Sequence, residues 1–152
     1  MWIFKAVRRR VRRRMQRGSR REYLRNREAA RALVHERLEY FNTSYHFTYK
    51  KVAIRNQKSR WGSCSKAGNL NFNYRLILLP AHLIDYVIVH ELCHRAEFNH
   101  SENFWVLVAR TVPEYAARRR ELRQMGRMLG TRAIVPIFAS SPTLRAGPTT
   151  TR

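Results

Sequence analysis

The chain is 152 residues long, which allows one folded domain with a single hydrophobic core and further segments at its ends. Hydrophobic residues make up 44% of it, a share typical of folded proteins. No apolar run approaches the ~20 residues that a membrane-spanning helix needs, and the apolar start precedes the basic residues, the reverse of a secretory signal. Only two cysteines occur, Cys64 and Cys93. We therefore expect a cytoplasmic protein with no transmembrane segment and no disulfide framework.

The positive charge is large and uneven. The net charge is +21; residues 1–31 contribute +11, from thirteen Lys and Arg and two Glu, and the rest of the chain contributes +10. Residues 1–20 are expected to form a basic arm that is disordered or becomes helical on binding, since its apolar residues recur at helical spacing. Such an arm favours polyanions and makes nucleic acid a candidate partner. The alternative is a solvated tail that makes no specific contact.

A helix and three short strands are predicted after this arm. Apolar residues at helical spacing predict a helix from about Arg20 to Tyr40, which the polar stretch Asn42–Ser44 then breaks. Loose alternation predicts a strand over Phe47–Ile54 and another around Trp61. A strand over Asn69–Tyr74 follows a turn sequence. The sequence does not decide whether this strand is an edge strand that binds an extended peptide or an interior strand.

The second half of the chain is predicted to be mainly helical. Pro80 opens one helix, and Ser101 caps another that runs to about Thr111. A strongly basic helix is expected over 114–129, and residues 131–152, rich in Pro, Thr and Ser, are expected to be disordered. This order of elements predicts an α+β domain over residues 21–130, with a small antiparallel sheet and flanking helices.

The most informative segment is His90-Glu91-Leu92-Cys93-His94, followed by His100. Residues four apart lie on one face of a helix, so His90 and His94 can bind one metal ion. His100, after a turn, is placed to supply a third nitrogen and to leave one coordination position open, as in catalytic zinc sites. Glu91 is expected to act as a general base towards a water that the ion activates. Zinc is the expected ion, although other divalent metals bind the same ligands.

Glu114 competes with His100 for the place of third ligand, because some zinc peptidases supply a glutamate at a comparable distance along the chain. A helix over residues 101–111 would separate the two residues by roughly 20 Å, so only one of them can reach the ion. An imidazole directly after a turn is the nearer and softer donor, and we favour His100.

Other residues near the motif have roles that the sequence leaves open. Asp85 is either an acceptor for the N–H of a ligand histidine or part of a surface ion pair. Cys93 is expected to be a core residue, and Cys64 a packed thiol rather than a nucleophile or an extra ligand. Three residues are candidates for stabilising the oxyanion, by proximity in sequence alone: Tyr74, Arg75 and His82.

Together these segments resemble the YgjP-like metallopeptidase domain family. The resemblance is carried by five stretches: Arg60–Ser65, Asn73–Leu76, Asp85–His94, Asn99–Trp105 and Pro113–Tyr115. It is looser back to the first helix and absent from the first twenty residues and the C-terminal tail. It implies a compact zincin-like core in which His90, His94 and His100 bind zinc and Glu91 is catalytic. The chain is more distantly similar to the SprT-like and WLM zinc proteases, some of which are linked to DNA–protein crosslink repair.

Three functions from different classes are compatible with these residues. A zinc-dependent metallopeptidase acting on proteins or peptides is preferred, with the basic arm holding it near nucleic-acid-bound substrates. The second is a metal-dependent nucleoside-triphosphate pyrophosphohydrolase, because some YgjP-like proteins are described as acting on UTP; the chain has no Walker-type phosphate loop. The third is a non-enzymatic nucleic-acid-binding protein with structural zinc. Glu91 argues against it, since a structural site needs no base.

Overall fold

The structure, a computed structural model, describes residues 20–129; the predicted arm up to residue 19 and the tail from residue 130 lie outside this range. The division of the chain into arm, domain and tail therefore stays a prediction. Four α-helices and three strands follow each other in the described range: α1 (Arg20–Tyr45), β1 (Lys51–Arg55), β2 (Gly62–Cys64), β3 (Asn69–Asn73), α2 (Ala81–Cys93), α3 (Glu102–Ala109) and α4 (Tyr115–Met128). A 3-10 helix, Tyr74–Leu78, joins β3 to α2. The predicted α+β class is confirmed.

The sheet is mixed, so the expectation of an antiparallel sheet is wrong for one of its two strand pairs. The strand order is β1-β3-β2; β3 pairs antiparallel with β2 and parallel with β1. The chain passes from β1 to the far edge of the sheet and returns through the middle, so β3 runs in the same direction as β1. The strand predicted over Asn69–Tyr74 is thus interior. The edges of the sheet in the described range are β1 and β2.

Helix α1 continues to Tyr45, past the break predicted at Asn42–Ser44. The helix thus ends one residue after the stretch that was predicted to break it. The Asn42 side chain accepts a hydrogen bond from Phe47 N and donates one to Phe47 O, both at 2.9 Å. His46 follows with a φ of 55°, the left-handed conformation that commonly ends a helix. Asn42 can make both hydrogen bonds to Phe47 because its short side chain reaches nearby backbone groups.

The metal-motif helix α2 is the centre of the domain. Ten of its thirteen residues are buried, which is expected of a helix covered on all sides. It packs against α1, β2, α3 and α4. The buried face of α1 contributes Ala30, Val34, Leu38 and Phe41 to the core, while Leu24, near the start of the helix, is 47% exposed. Since α2 is held from several directions, side chains on its last two turns have little freedom to move.

The predicted helix starts agree with local capping. Ser101 accepts a hydrogen bond from Phe104 N at 3.4 Å, as an N-cap residue should, and α3 ends at Ala109. Pro80 directly precedes α2. The turn before β3 is closed by a hydrogen bond from Gly68 N to Ser65 O, and Gly68 has a φ of +91°, which favours glycine. None of the described helices is both long and apolar enough to cross a membrane.

Asn73, at the end of β3, holds the segment that leads to β2. Its buried amide donates to Gln57 O at 2.8 Å and to Arg60 O at 2.9 Å, and its oxygen accepts from Arg75 N at 3.1 Å. Truncation of the Asn73 side chain leaves three backbone groups without these hydrogen-bond partners, and each loss lowers the stability of the fold by about 1 kcal/mol or more. We expect Asn73→Ala to lower the free energy of unfolding by about 3 kcal/mol, measured by chemical denaturation. Asn71→Ala, in the more exposed position two residues earlier, is the control, with an expected loss below about 1 kcal/mol.

Candidate metal centre

Three imidazole groups converge at the C-terminal end of α2. His90 and His94 lie one helical turn apart, and His100 reaches the same point from the loop before α3. The Nε2 atom of His90 lies 3.2 Å from Nε2 of His94 and 3.1 Å from Nε2 of His100. A tetrahedral zinc ion with Zn–N bonds of 2.0–2.1 Å would hold its nitrogen ligands about 3.3 Å apart. The donor set and its spacing therefore fit a zinc ion.

Aromatic side chains from the first turn of α3 form one wall of this group. Phe104 contacts all three imidazoles, with ring centroids 4.9 Å from His90, 4.5 Å from His94 and 4.8 Å from His100. Trp105 stacks on His100 at 5.6 Å. The Ser101 cap fixes where α3 starts, and so brings these two rings against the histidines. The packing limits rotation of the imidazoles and excludes water from one side.

Burial favours the neutral form of all three histidines, which is the form that binds metals. Burial lowers the pKa of His90 well below its usual value and, together with the neighbouring His94, lowers the pKa of His100 to about 4. Burial also lowers the pKa of His94, against the effect of the Glu97 carbonyl. That carbonyl lies 2.9 Å from Nδ1 of His94. A neutral His94 donates its Nδ1 hydrogen to this oxygen, which leaves the Nε2 lone pair free for an ion.

Glu91 follows His90 on α2, and its side chain lies against Gly62 of strand β2. Its side chain is 7% exposed, and burial raises its pKa to about 8, with Arg60 acting in the opposite direction. Gly62 leaves the space that Glu91 occupies: a Cβ atom at Gly62 would lie 2.6 Å from Cγ and 2.9 Å from Oε1 of Glu91. The sequence interpretation missed Gly62. A glycine inside a short strand was the available signal, since it often marks close approach of another group.

The competing ligand and the neighbouring candidates lie elsewhere. Glu114 is exposed, just before α4, and is not part of the histidine group. Asp85 accepts two hydrogen bonds from Arg37 at 2.6 Å, so it joins α1 to α2 and has the ion-pair role that the sequence left open. Cys93 is fully buried in the core, as predicted. Cys64 lies half-buried in β2, and its thiol donates to Ser65 O at 3.5 Å.

The three oxyanion candidates make contacts away from the histidines. The Tyr74 ring contacts Tyr23 of α1 edge to face at 5.6 Å, and Arg75 donates to the Tyr74 hydroxyl at 3.3 Å. His82 lies 2.9 Å from a carboxylate oxygen of Glu121 in α4. Tyr74 and Arg75 lie in the 3-10 helix before α2 and His82 lies in the first turn of α2, whereas His90 and His94 lie at the other end of that helix.

Comparisons with known proteins identify the family of the chain. A family model described as "YgjP-like, metallopeptidase domain" matches residues 5–125, so the match extends into the basic arm that the sequence resemblance left out. No curated protein matches the chain. Among solved structures, the chain is similar to the metallopeptidase zymogen abylysin of Pyrococcus abyssi, with a TM-score of 0.55 and 24% identity over 66% of this chain and 99% of that one. At that identity the likeness supports the fold alone. The family match covers most of the chain, and the protein belongs to the YgjP-like metallopeptidase domain family.

Proposed function

We propose that this protein is a zinc-dependent peptidase in which His90, His94 and His100 hold the ion and Glu91 is the general base. The observation that supports it best is the convergence of three imidazole nitrogens, with those of His94 and His100 3.2 and 3.1 Å from that of His90, while the next residue in the chain, Glu91, is buried. Family membership supports a metal-dependent peptidase in general. The choice of zinc, the ligand set and the role of Glu91 are our inference from the geometry and the donor chemistry.

The proposed chemistry divides between the ion and the chain. A zinc ion held by His90, His94 and His100 would supply Lewis-acid chemistry, which would make water more acidic and polarise the carbonyl group that is attacked. Glu91 takes a proton from the attacking water and passes it to the leaving amine. The low exposure of Glu91 keeps bulk water away from this proton transfer. Phe104 and Trp105 hold the imidazoles in place, so that the ligand geometry does not have to form during the reaction.

An extended peptide is the substrate that fits the surroundings of Glu91. Strand β2 is an edge of the sheet in the described range, and its residue Gly62 touches Glu91. A peptide that pairs with β2 by strand addition would lie beside the general base. This edge replaces Asn69–Tyr74 as the strand proposed to bind substrate, because that strand is interior.

The alternatives receive less support. A structural zinc site usually fills its fourth position with cysteine; within residues 20–129 the histidine group includes no cysteine, and Cys93 is buried beside Tyr45 instead. The nucleotide alternative predicts hydrolysis of UTP, and an assay with both UTP and casein distinguishes it from the peptidase. A role for the basic arm in holding the enzyme near nucleic acid stays part of the proposal, as does a cytoplasmic location.

The proposal is tested by metal analysis combined with two substrates. We expect the purified full chain to contain about one zinc ion, to cleave casein, to lose this activity with a chelator and to regain it with added zinc. Cleavage of UTP without cleavage of casein would replace the peptidase by the phosphoanhydride hydrolase. Bound zinc without hydrolysis of either substrate, together with salt-sensitive DNA binding, would favour the non-enzymatic protein.

Gly62 provides a prediction that depends on the contact with Glu91. Gly62→Ala places a methyl group where Glu91 now lies, so the carboxyl group must shift. A displacement of this size is expected to lower kcat/KM for casein peptides by about 100-fold. Zinc content should be retained, since the atoms nearest to the added methyl group all belong to Glu91 and not to a histidine ligand. Ser63→Ala, the next residue of the same strand, is the control and should keep nearly full activity; equal activity of both variants would contradict the proposed contact.

A further inference from the structure

A second polar cluster lies against the metal centre, on the side of α4. Tyr86 precedes His90 by one helical turn, and its ring contacts the His90 ring edge to face, with centroids 5.8 Å apart. Arg119 of α4 lies over the ring of Trp105, with Cζ 5.2 Å from the centroid. Trp105 itself stacks on His100 and lies 6.0 Å from His90. Tyr86 and Arg119 therefore both pack against side chains that form the candidate centre.

Two polar atoms of this cluster are buried and have no hydrogen-bond partner in the described part of the chain. They are the hydroxyl oxygen of Tyr86 and Nε of Arg119. Tyr86 as a whole is 1% exposed. An unpaired buried donor carries a free-energy penalty, so folded proteins satisfy nearly all of them and tend to leave exceptions where a ligand binds. Nδ1 of the adjacent His90 is a third buried atom without a hydrogen-bond partner in the described range, so these atoms lie together beside the candidate active site, where they can donate to a ligand.

The cluster consists of hydrogen-bond donors in a positive field. Burial raises the pKa of the Tyr86 hydroxyl, which keeps its hydrogen, and the positive charges of Arg119 and Arg123 act on the same group in the opposite direction. Tyr115, Arg119 and Arg123 follow each other at one-turn spacing and share a face of α4. A guanidinium group has donors and no acceptor. The matching ligand is an anion with planar oxygen acceptors, for which a carboxylate is suited.

We propose that Tyr86, Arg119 and Arg123 form a substrate subsite that binds a carboxylate next to the bond being cleaved. The Tyr86 hydroxyl and the Arg119 guanidinium donate hydrogen bonds to it, and Arg123 adds positive charge. A peptide can supply this group as an acidic side chain or as its C-terminal carboxylate. The inference rests on the proposed peptidase function and adds to it a preference for acidic substrates.

Matched peptides measure this preference. Cleavage sites are first found by mass spectrometry of a casein digest. One pair of peptides then differs only by Glu or Gln beside the cleaved bond, with amidated ends; a second pair lacks acidic side chains and has a free or an amidated C-terminus. We expect the wild type to favour the carboxylate member of one pair by about 10- to 100-fold in kcat/KM, the range for a hydrogen-bonded charge. The pair that shows the ratio identifies the source of the carboxylate.

Three variants separate the subsite from a general effect of charge or folding. Arg119→Gln should bring the ratio close to one, and Tyr86→Phe should lower it several-fold while leaving the melting temperature unchanged or higher, since it removes only an unpaired hydroxyl. Arg120→Gln is the matched control: the residue is adjacent, exposed and equally charged, and the ratio should be retained. A wild-type ratio near one, or a ratio that Arg119→Gln leaves unchanged, would reject the subsite.

A binding measurement keeps this test independent of catalysis. Calorimetry of the zinc-loaded full chain should detect binding of N-acetylglutamate amide, weaker binding of N-acetylglutamine amide, and loss of the difference in Arg119→Gln. This result without any peptide hydrolysis would support the subsite and reject the peptidase. Peptide hydrolysis together with equal binding of the two amides would support the peptidase and reject the subsite. Binding of UTP that depends on Arg119, without binding of N-acetylglutamate amide, would overturn the carboxylate in favour of a phosphate.

Discussion

Glu91→Gln is expected to lower peptide hydrolysis by about 10²- to 10⁴-fold while zinc stays bound, because general-base catalysis contributes factors of this size. Gln has nearly the same shape as Glu and cannot accept the proton of the attacking water. The three histidines are unchanged, so metal content should equal that of the wild type. The measurement is kcat/KM on a fluorogenic casein peptide, with zinc determined on the same samples.

The variant should fold normally. Burial raises the pKa of Glu91 to about 8, so in the metal-free protein the side chain is mostly protonated at pH 7, and a neutral Gln resembles it. Glu102→Gln, an exposed glutamate at the start of α3, is the control for loss of one negative charge and should keep full activity. Wild-type turnover in Glu91→Gln would remove the general-base role and leave the metal site intact.

His100→Ala is expected to abolish tight zinc binding and, with it, hydrolysis. Loss of an outer hydrogen-bond partner of a ligand already costs about 10- to 100-fold in metal affinity, and loss of a direct ligand should cost more. Zinc affinity, measured by competition with a chromogenic chelator, is therefore expected to fall by more than 100-fold. The His100 ring is half-buried and contacts Phe104 and Trp105, so a melting curve of the metal-free variant separates metal loss from unfolding.

Glu114→Ala is the matched variant that decides between the two candidate third ligands. Glu114 is exposed and lies outside the histidine group, so its removal should leave zinc affinity and activity nearly unchanged. The opposite pattern, in which Glu114→Ala loses zinc and His100→Ala retains it, would show that the glutamate is the ligand. Since α3 separates the two residues, we do not expect Glu114 to take the place of His100 as a ligand in the same fold.

The family and the fold class were predictable from the sequence because their signals are local. The spacing of His90 and His94 follows from the helical repeat, and a helix over these residues needs only the apolar pattern of α2. The same holds for the Ser101 cap, where a side-chain oxygen accepts a hydrogen bond from a backbone N–H, and for the turn at Gly68, where glycine allows a positive φ. The YgjP-like resemblance, built from such short stretches, is confirmed. The roles assigned to the histidines and to Glu91 stay predictions until the variants are measured.

The sequence could not indicate which strands pair or which distant side chains touch. The antiparallel sheet was a reasonable expectation for short consecutive strands, yet β3 pairs with β1 in parallel. Asp85 had two open roles until Arg37 of α1 was seen to bind it. The end of α1 was misjudged because Asn42 acts through Phe47, whose position depends on the chain beyond the helix. Each of these outcomes depends on contacts whose partners no local pattern specifies.

The sequence by itself determined the motif: two helical histidines, a glutamate between them, a third histidine after a turn, and the family that these residues resemble. The tertiary structure alone decided the surroundings of that motif. It brought the imidazole of His100 to that of His90, placed Gly62 against Glu91, and left the Tyr86 hydroxyl and Nε of Arg119 buried beside the centre with no hydrogen-bond partner in the described range. The physical reason is that a helical repeat is encoded by neighbouring residues, whereas the packing of α2 against β2, α3 and α4 is a property of the whole core.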